Sequence, residues 1–239
     1  RYPVSASGGT TYGNNNFGLD GLYAFTGRVT RKGDGAGLAG VTVRLLRESD
    51  GALLAQAQTD GAGNYTVAWQ GYPTTNLLLR VVVPGGWVAY AASSASGGQV
   101  LAADTIRFGA NLAPGGYGGN NYVLAGTITF AGRVTNRTTG AGMGGVTVVF
   151  RLDGWNQVGS TTTDGAGNYA WSYLGWPPDG YSFLDIVVQP PANWTAAQAG
   201  PGTAPGSVVN AWTIRYPVSA SGGTTYGNNN FGLDGLYAF

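Results

Sequence analysis

The chain begins and ends with the same 25 residues. The passage "RYPVSASGGTTYGNNNFGLDGLYAF" occupies positions 1–25 and returns without a change at 215–239, which is 214 positions later. Other parts of the chain have diverged from one another, so a perfect copy of this length indicates recent or continually homogenised duplication. We therefore expect a long polypeptide in which one 214-residue unit follows the next directly, as in repeat proteins whose units contact only their neighbours.

A second, weaker repeat divides this unit into two halves. "FTGRVTRKGDGAGLAGVTVRLL" at 25–46 aligns with "FAGRVTNRTTGAGMGGVTVVFR" at 130–151, and "TDGAGNY" occurs both at 59–65 and at 163–169. Each half is roughly 105–109 residues long, which is enough for a domain with its own hydrophobic core. The unit is therefore predicted to contain two related domains.

Both halves show the two-residue periodicity of β-strands. In "GVTVRLL" at 40–46 every second residue is apolar, and the Asp-Gly pairs at 60–61 and 164–165 are typical of turns between strands. Seven short runs of this kind can be counted in each half, and no stretch shows sustained helical periodicity. The last run of the first half lies near 120–125 and the first run of the second half near 127–135. The fold class is therefore predicted to be all-β, with antiparallel sandwiches of the immunoglobulin type.

Composition excludes several classes of partner. Charged residues make up 10% of the chain, with 12 basic and 11 acidic side chains, so the basic surface needed to bind nucleic acid is missing. The longest apolar runs, such as "LLLRVVV" at 77–83, are too short to span a bilayer. We expect neither nucleic-acid binding nor membrane insertion.

The residue types used in most active sites are also missing. The chain has no histidine and no cysteine, and Glu48 is its only glutamate, which removes the usual nucleophile–base pairs and acid–base pairs. The loops "GDGAG" at 33–37 and "TDGAGN" at 59–64 offer one carboxylate each, whereas calcium sites usually combine several oxygen ligands. We expect no catalytic residue, no cofactor and no metal site.

The order of three motifs points to a known family. "GAGLAGVTVRL" at 35–45, "TDGAGNY" at 59–65 and "VVVPGGW" at 81–87 resemble, in that order, the prealbumin-like B-type repeats of bacterial surface adhesins, and they are similar to carboxypeptidase regulatory-like domains. The resemblance implies two tandem Ig-like, seven-stranded sandwiches in each repeat. It also implies a rod-forming surface or extracellular fibre protein, bacterial or archaeal, without catalysis of its own.

The same resemblance suggests where the domains begin and end. Residues 1–21 correspond to the final strands of the preceding repeat's second domain, 22–125 to the first Ig-like domain, 126–233 to the second, and 234–239 to the start of the next repeat. The strands at 1–21 are therefore expected to complete a sandwich of the preceding unit. They can do so within one continuous chain or as donor strands exchanged between separate subunits.

Aromatic residues are the best candidates for contacts between repeats. Six of them lie in Gly/Asn-rich stretches at the domain junctions: Tyr12, Phe17, Tyr117, Tyr122, Tyr226 and Phe231. One interpretation is that they pack against a neighbouring repeat or fibre. The other is that they hold their own loops in place.

These observations predict a structural protein that forms an extracellular filament, with neighbouring repeats or identical subunits as its main partner. The alternative is a cell-surface adhesin stalk that binds glycans or a host ligand through exposed aromatic residues such as Trp155. Both place the protein outside the cell or on its surface, and neither is an enzyme.

Overall fold

The computed structural model describes residues 20–236, and every regular element in this range is a β-strand. The all-β prediction is confirmed. Within the same range, no helix is present that could cross a membrane. Tyr12 and Phe17 lie outside the described residues.

The first sandwich packs a five-stranded sheet against a second layer. In spatial order the five-stranded sheet contains β3 (Leu53–Gln58), β2 (Thr42–Arg47), β5 (Leu77–Val81), β8 (Thr105–Phe108) and β7 (Gln99–Ala102). The facing layer contains β4 (Asn64–Gly71), β1 (Gly21–Arg31), the first half of β10 (Asn121–Asn136) and β6 (Trp87–Ser93), with the short β9 (Gly115–Tyr117) beside β1.

The second sandwich repeats this arrangement strand for strand. Its five-stranded sheet contains β12 (Asn156–Thr162), β11 (Thr147–Leu152), β14 (Phe183–Gln189), β17 (Thr213–Pro217) and β16 (Ser207–Asn210). Its facing layer contains β13 (Asn168–Trp176), the second half of β10, β19 (Phe231–Gly235) and β15 (Trp194–Ala199), with β18 (Thr225–Tyr226) beside β10.

The seven strands predicted for each half are present, and each sandwich has three further ones. The additional strands are β6, β7 and β9 in the first sandwich and β15, β16 and β18 in the second. Most pairs are antiparallel, but β10 runs parallel to both β1 and β19. This parallel pairing places the first and last long strands of each sandwich side by side.

Buried apolar side chains form two separate cores. The first core draws its residues from the range between Tyr23 and Leu124, and the second from the range between Ile128 and Leu233. The alternating positions of the predicted strands supply both cores, since residues of one row face inward. The exact domain limits, and the assignment of 1–21 and 234–239 to neighbouring repeats, stay predictions.

The repeated motif "TDGAGNY" forms a hydrogen-bonded turn in each sandwich. The buried hydroxyl of Thr59 accepts the N–H of Val41 at 2.9 Å, and Oδ1 of Asp60 accepts the N–H of Asn64 at 2.8 Å. The second copy, at 163–169, makes the same bonds at the same distances. The N–H of Asn64 is the main reason that the pKa of the Asp60 carboxyl lies below its ordinary value. The motif thus has a structural role in both halves.

The last residue of this motif closes the sandwich. The buried Tyr65 hydroxyl donates to the carbonyl oxygen of Asn120 at 2.5 Å, and Tyr169 makes the same bond to Asn229. Gly27 lies directly beneath the first of these bonds, where a Cβ atom would collide with the Asn120 carbonyl and the Tyr65 hydroxyl. Glycine is needed here because two backbone segments approach closely.

Replacing Gly27 by alanine should therefore destabilise the first sandwich by about 1–3 kcal/mol, the usual cost of overpacking. The free energy of unfolding from urea denaturation measures this. Gly61→Ala is the matched control, because a Cβ at Gly61 meets no atom within 4 Å. Equal stability of the two variants would contradict this account of the closure.

Candidate assembly interface between the sandwiches

A single β-strand passes from one sandwich into the other. The 16-residue strand β10 pairs with β6 of the first sandwich through Gly126 and with β13 of the second from Gly126 onward. Gly126 faces Trp87 on one side and Trp176 on the other. No linker separates the sandwiches, so bending between them would break backbone hydrogen bonds of β10.

Close packing around Gly126 reinforces this shared strand. The backbone N–H and the hydroxyl of Thr127 both donate to the carbonyl oxygen of Gly86, each at 2.9 Å. The Trp87 indole lies so near that a Cβ at Gly126 would be 3.0 Å from the ring, and one at Gly223 would be 2.8 Å from it. Trp87 therefore belongs to the first sandwich and also contacts the second.

A charged contact joins the two sandwiches beside Trp87. The Nζ atom of Lys32, the only lysine in the chain, lies 2.9 Å from Oδ1 of Asp179 and 3.5 Å above the ring centroid of Tyr90. The Tyr90 hydroxyl donates to the other oxygen of Asp179 at 2.7 Å. These bonds, led by the one from Lys32, lower the pKa of the Asp179 carboxyl.

A second polar contact lies at Asp34. Its carboxylate accepts hydrogen bonds from Arg31 at 2.5 Å and from the Ser221 hydroxyl of the second sandwich at 3.0 Å. Arg31 also reaches the carbonyl oxygen of Gly222, at 3.4 Å. The Arg31 hydrogen bond is the main reason that the pKa of Asp34 falls to about 2. Both carboxylates are therefore charged at neutral pH and bridge the sandwiches in that form.

Four of the six aromatic residues predicted for contacts between repeats pack inside their own sandwich. Tyr122 and Phe231 are fully buried, and Tyr226 is 6% exposed. Tyr117 is half-buried and stacks on Phe25 with ring centroids 5.3 Å apart. Each of these four rings therefore contacts the core of its own sandwich. Contact of any of the six with a neighbouring repeat stays a prediction.

Sequence reasoning missed the residues that join the sandwiches. Lys32 and Asp179 lie in turns of different halves, and no local pattern links them. The continuity of β10 did leave a signal, because "NYVLAGTITFAGRVTN" at 121–136 contains no proline, and the glycine at 126 is the only possible break before the one at 132. We nevertheless expected two strands there, 120–125 and 127–135.

The junction should loosen in acid. A carboxylate whose pKa is lowered in the folded protein stabilises it fully above its ordinary pKa, near 3.9, and loses this effect as the pH falls toward the folded value. For Asp34, whose pKa falls to about 2, the loss should occur between about pH 4 and pH 2. The lowered pKa of Asp179 gives a loss in the same direction, as the pH falls below the ordinary pKa of the carboxyl. Spin labels on Thr66→Cys and Ala170→Cys, both at exposed positions, should give a narrow distance distribution at neutral pH and a broader one in acid.

The variant Asp34→Asn with Asp179→Asn should show at neutral pH the same moderate widening of the distribution that acid produces, because the hydrogen bonds of β10 still limit bending. Asp50→Asn is the control, since Asp50 pairs with Arg47 inside the first sandwich. Near-ultraviolet circular dichroism reports whether both sandwiches stay folded. A distribution of constant width from neutral pH to pH 2 would show that the carboxylates do not hold the junction.

No family model matches the chain, and no curated protein matches it.

Several solved structures are similar to the chain. The Bacillus anthracis TIE protein has a TM-score of 0.36 and 9% identity to it. The similarity covers 91% of this chain and 34% of the TIE protein, so the chain spans about a third of that protein's length. The shaft pilin SpaA of Lactobacillus rhamnosus GG has a TM-score of 0.35 and 10% identity, over 92% of this chain and 99% of the pilin. The minor pilin GBS52 of Streptococcus agalactiae has values of 0.30 and 11%, over 91% and 98%. Two pilins are thus among the solved structures to which the chain is similar.

Proposed function

We propose that this chain is the repeating part of an extracellular or cell-surface structural filament, built from consecutive copies of the 214-residue unit. The observation that carries the proposal is the shared strand β10, which joins two sandwiches without a linker. Domains joined by a shared strand form a stiff rod, whereas domains joined by flexible linkers change their relative orientation freely. The identical terminal passages extend the rod beyond one unit.

The shared strand also suits the unit to carry tension. A pull between the two sandwiches acts along β10, and the strand is held by hydrogen bonds to β6 in the first sandwich and to β13 in the second. Many bonds must then break together before the sandwiches separate. Each bond contributes only about 1 kcal/mol, so the resistance comes from their number and alignment.

The terminal passage has a defined place in such a filament. At 215–235 it supplies most of β17 and all of β18 and β19 of the second sandwich. The same letters at 1–21 would supply these strands to the second sandwich of the preceding unit. The proposed filament is a continuous chain in which each second sandwich is completed in this way, and its partner is the neighbouring repeat.

The mass of the native polypeptide tests this function. A mass many times the 24.5 kDa of this chain is expected, and electron micrographs of chains with one, two and three units should show rods that lengthen by a constant amount per unit. A native mass near 24.5 kDa, or images of compact particles that do not lengthen, would overturn the proposal.

A second candidate function is glycan binding by an adhesin stalk. Trp155 is 73% exposed and lies with its ring centroid 6.4 Å from that of Tyr181, and exposed apolar groups of this kind mark interaction sites. Saturable binding of a polysaccharide that is lost in Trp155→Ala would support it. Trp212→Ala, which alters another exposed tryptophan, is the control, and absence of saturable binding to a panel of polysaccharides would exclude this candidate.

A further inference from the structure

We propose that the second sandwich of one unit and the first sandwich of the following unit share a strand just as the two sandwiches within a unit do. Phe231–Gly235 of one unit and Gly21–Arg31 of the next would form one uninterrupted strand. The occupant of this end of the chain is therefore the following copy of the same unit. This inference rests on the proposed tandem filament and adds the geometry of its unit-to-unit contact.

The limits of the two strands meet at one position of the repeat. Strand β19 ends at Gly235 and β1 begins at Gly21, and these glycines occupy the same place in the two copies of the terminal passage. "FGLDGLYAFTGRVT", read across this join, aligns without gaps with "YVLAGTITFAGRVT" of β10, and the shared glycine falls on Gly126. Gly126 is the residue at which β10 changes partner.

The end of the second sandwich already has the hydrogen bond that guides β10 across its junction. In β10 the N–H of Thr127 donates to the carbonyl oxygen of Gly86 at 2.9 Å, and at the chain end the N–H of Leu236 donates to that of Asn193 at 2.7 Å. Both acceptor residues have left-handed backbone, with φ of 79° and 66°. Leu236 therefore leaves β19 as Thr127 leaves the first half of β10.

The tryptophan that packs at the junction within a unit also has a counterpart at the end of the second sandwich. Trp194 pairs with Gly235 as Trp87 pairs with the central glycine of β10. Trp87 also lies against Gly223 of the neighbouring sandwich, and the residue that aligns with Gly223 in the first sandwich is Pro114, which is exposed. The join would place the Trp194 ring on Pro114 of the following unit.

Both ends leave apolar surface exposed. Leu22 is 69% and Leu236 60% exposed, although they are the same residue of the repeat seen at its two ends. Leu22 and Trp69 line an apolar groove of about 470 Å³, and Tyr72, which directly follows the paired strand β4, is 63% exposed. Joining the ends covers both sides of this one leucine.

The two kinds of junction differ in charge. The residue that aligns with Lys32 is Arg137, but its guanidinium binds Asp234 of its own sandwich at 2.6–2.9 Å. The residue that aligns with Asp179 is Thr75, as "GWPPD" at 175–179 and "GYPTT" at 71–75 show. At the positions where Lys32 and Asp179 form an ion pair within a unit, the junction between units would therefore have no such pair, and its contacts would be mainly apolar.

A chain of two consecutive units tests the proposal by spin-label distances. Labels at Ala170→Cys and Thr66→Cys of one unit report the junction within a unit, and labels at Ala170→Cys of the first unit and Thr66→Cys of the second report the junction between units. We expect two narrow distributions with similar means at neutral pH. A broad distribution between units beside a narrow one within a unit would overturn the shared strand.

Leu236→Asp in the two-unit chain should abolish the narrow distribution between units, because this leucine lies at the join. Leu22→Asp at the start of the same chain is the matched control and should leave both distributions narrow. A narrow distribution that survives Leu236→Asp would show that apolar contact does not form the join. If the units do not share a strand, the proposed filament still exists but its units are flexibly linked. If the native mass is that of a single unit, there is no filament. The two experiments therefore distinguish failure of this inference from failure of the proposed function.

Discussion

The backbone hydrogen bonds of β10 are the constraint on which the rest of the molecule depends. One extended segment completes the facing layer of both sandwiches, so neither layer can be displaced without disturbing the other. The strand must also change its partner, and that requires a position where two layers and a tryptophan meet with almost no space. Gly126 meets this requirement because it has no side chain. The contacts of Lys32 and Asp34 are additions to this covalent and hydrogen-bonded connection.

Sequence pattern predicted the sandwiches because their inner rows alternate and their turns carry Asp-Gly. It missed β7, whose four residues are all exposed, and β9, which reads "GGY", since neither has the inward row that marks a strand. It left open whether Tyr122 and Phe231 contact a neighbouring repeat or hold their own loops in place, because both follow runs of asparagine and glycine. Those runs form the bend that brings the rings into the core, as the buried Asn120 and Asn229 show. Composition alone could not reveal this.

The junction was harder to predict for a physical reason. Strand limits follow from local periodicity, but the pairing of Lys32 with Asp179 and the contact of Trp87 with Gly223 follow from how two folded bodies meet. Such contacts leave no period in the chain. The internal repeat compensates in part, because any feature present at one junction can be sought at the aligned position of the other. The differences, such as Thr75 in place of Asp179, are then as informative as the matches.

The absence of a linker at Gly126 also affects how well the connection between the two sandwiches resists proteolysis. Proteases cut chains that can be drawn into their clefts in extended, unpaired form, and interdomain linkers are where they usually find them. Between these sandwiches the backbone is already paired along β10. Digestion is therefore directed to the turns at the sandwich surfaces, and a nick there leaves the two bodies fastened together.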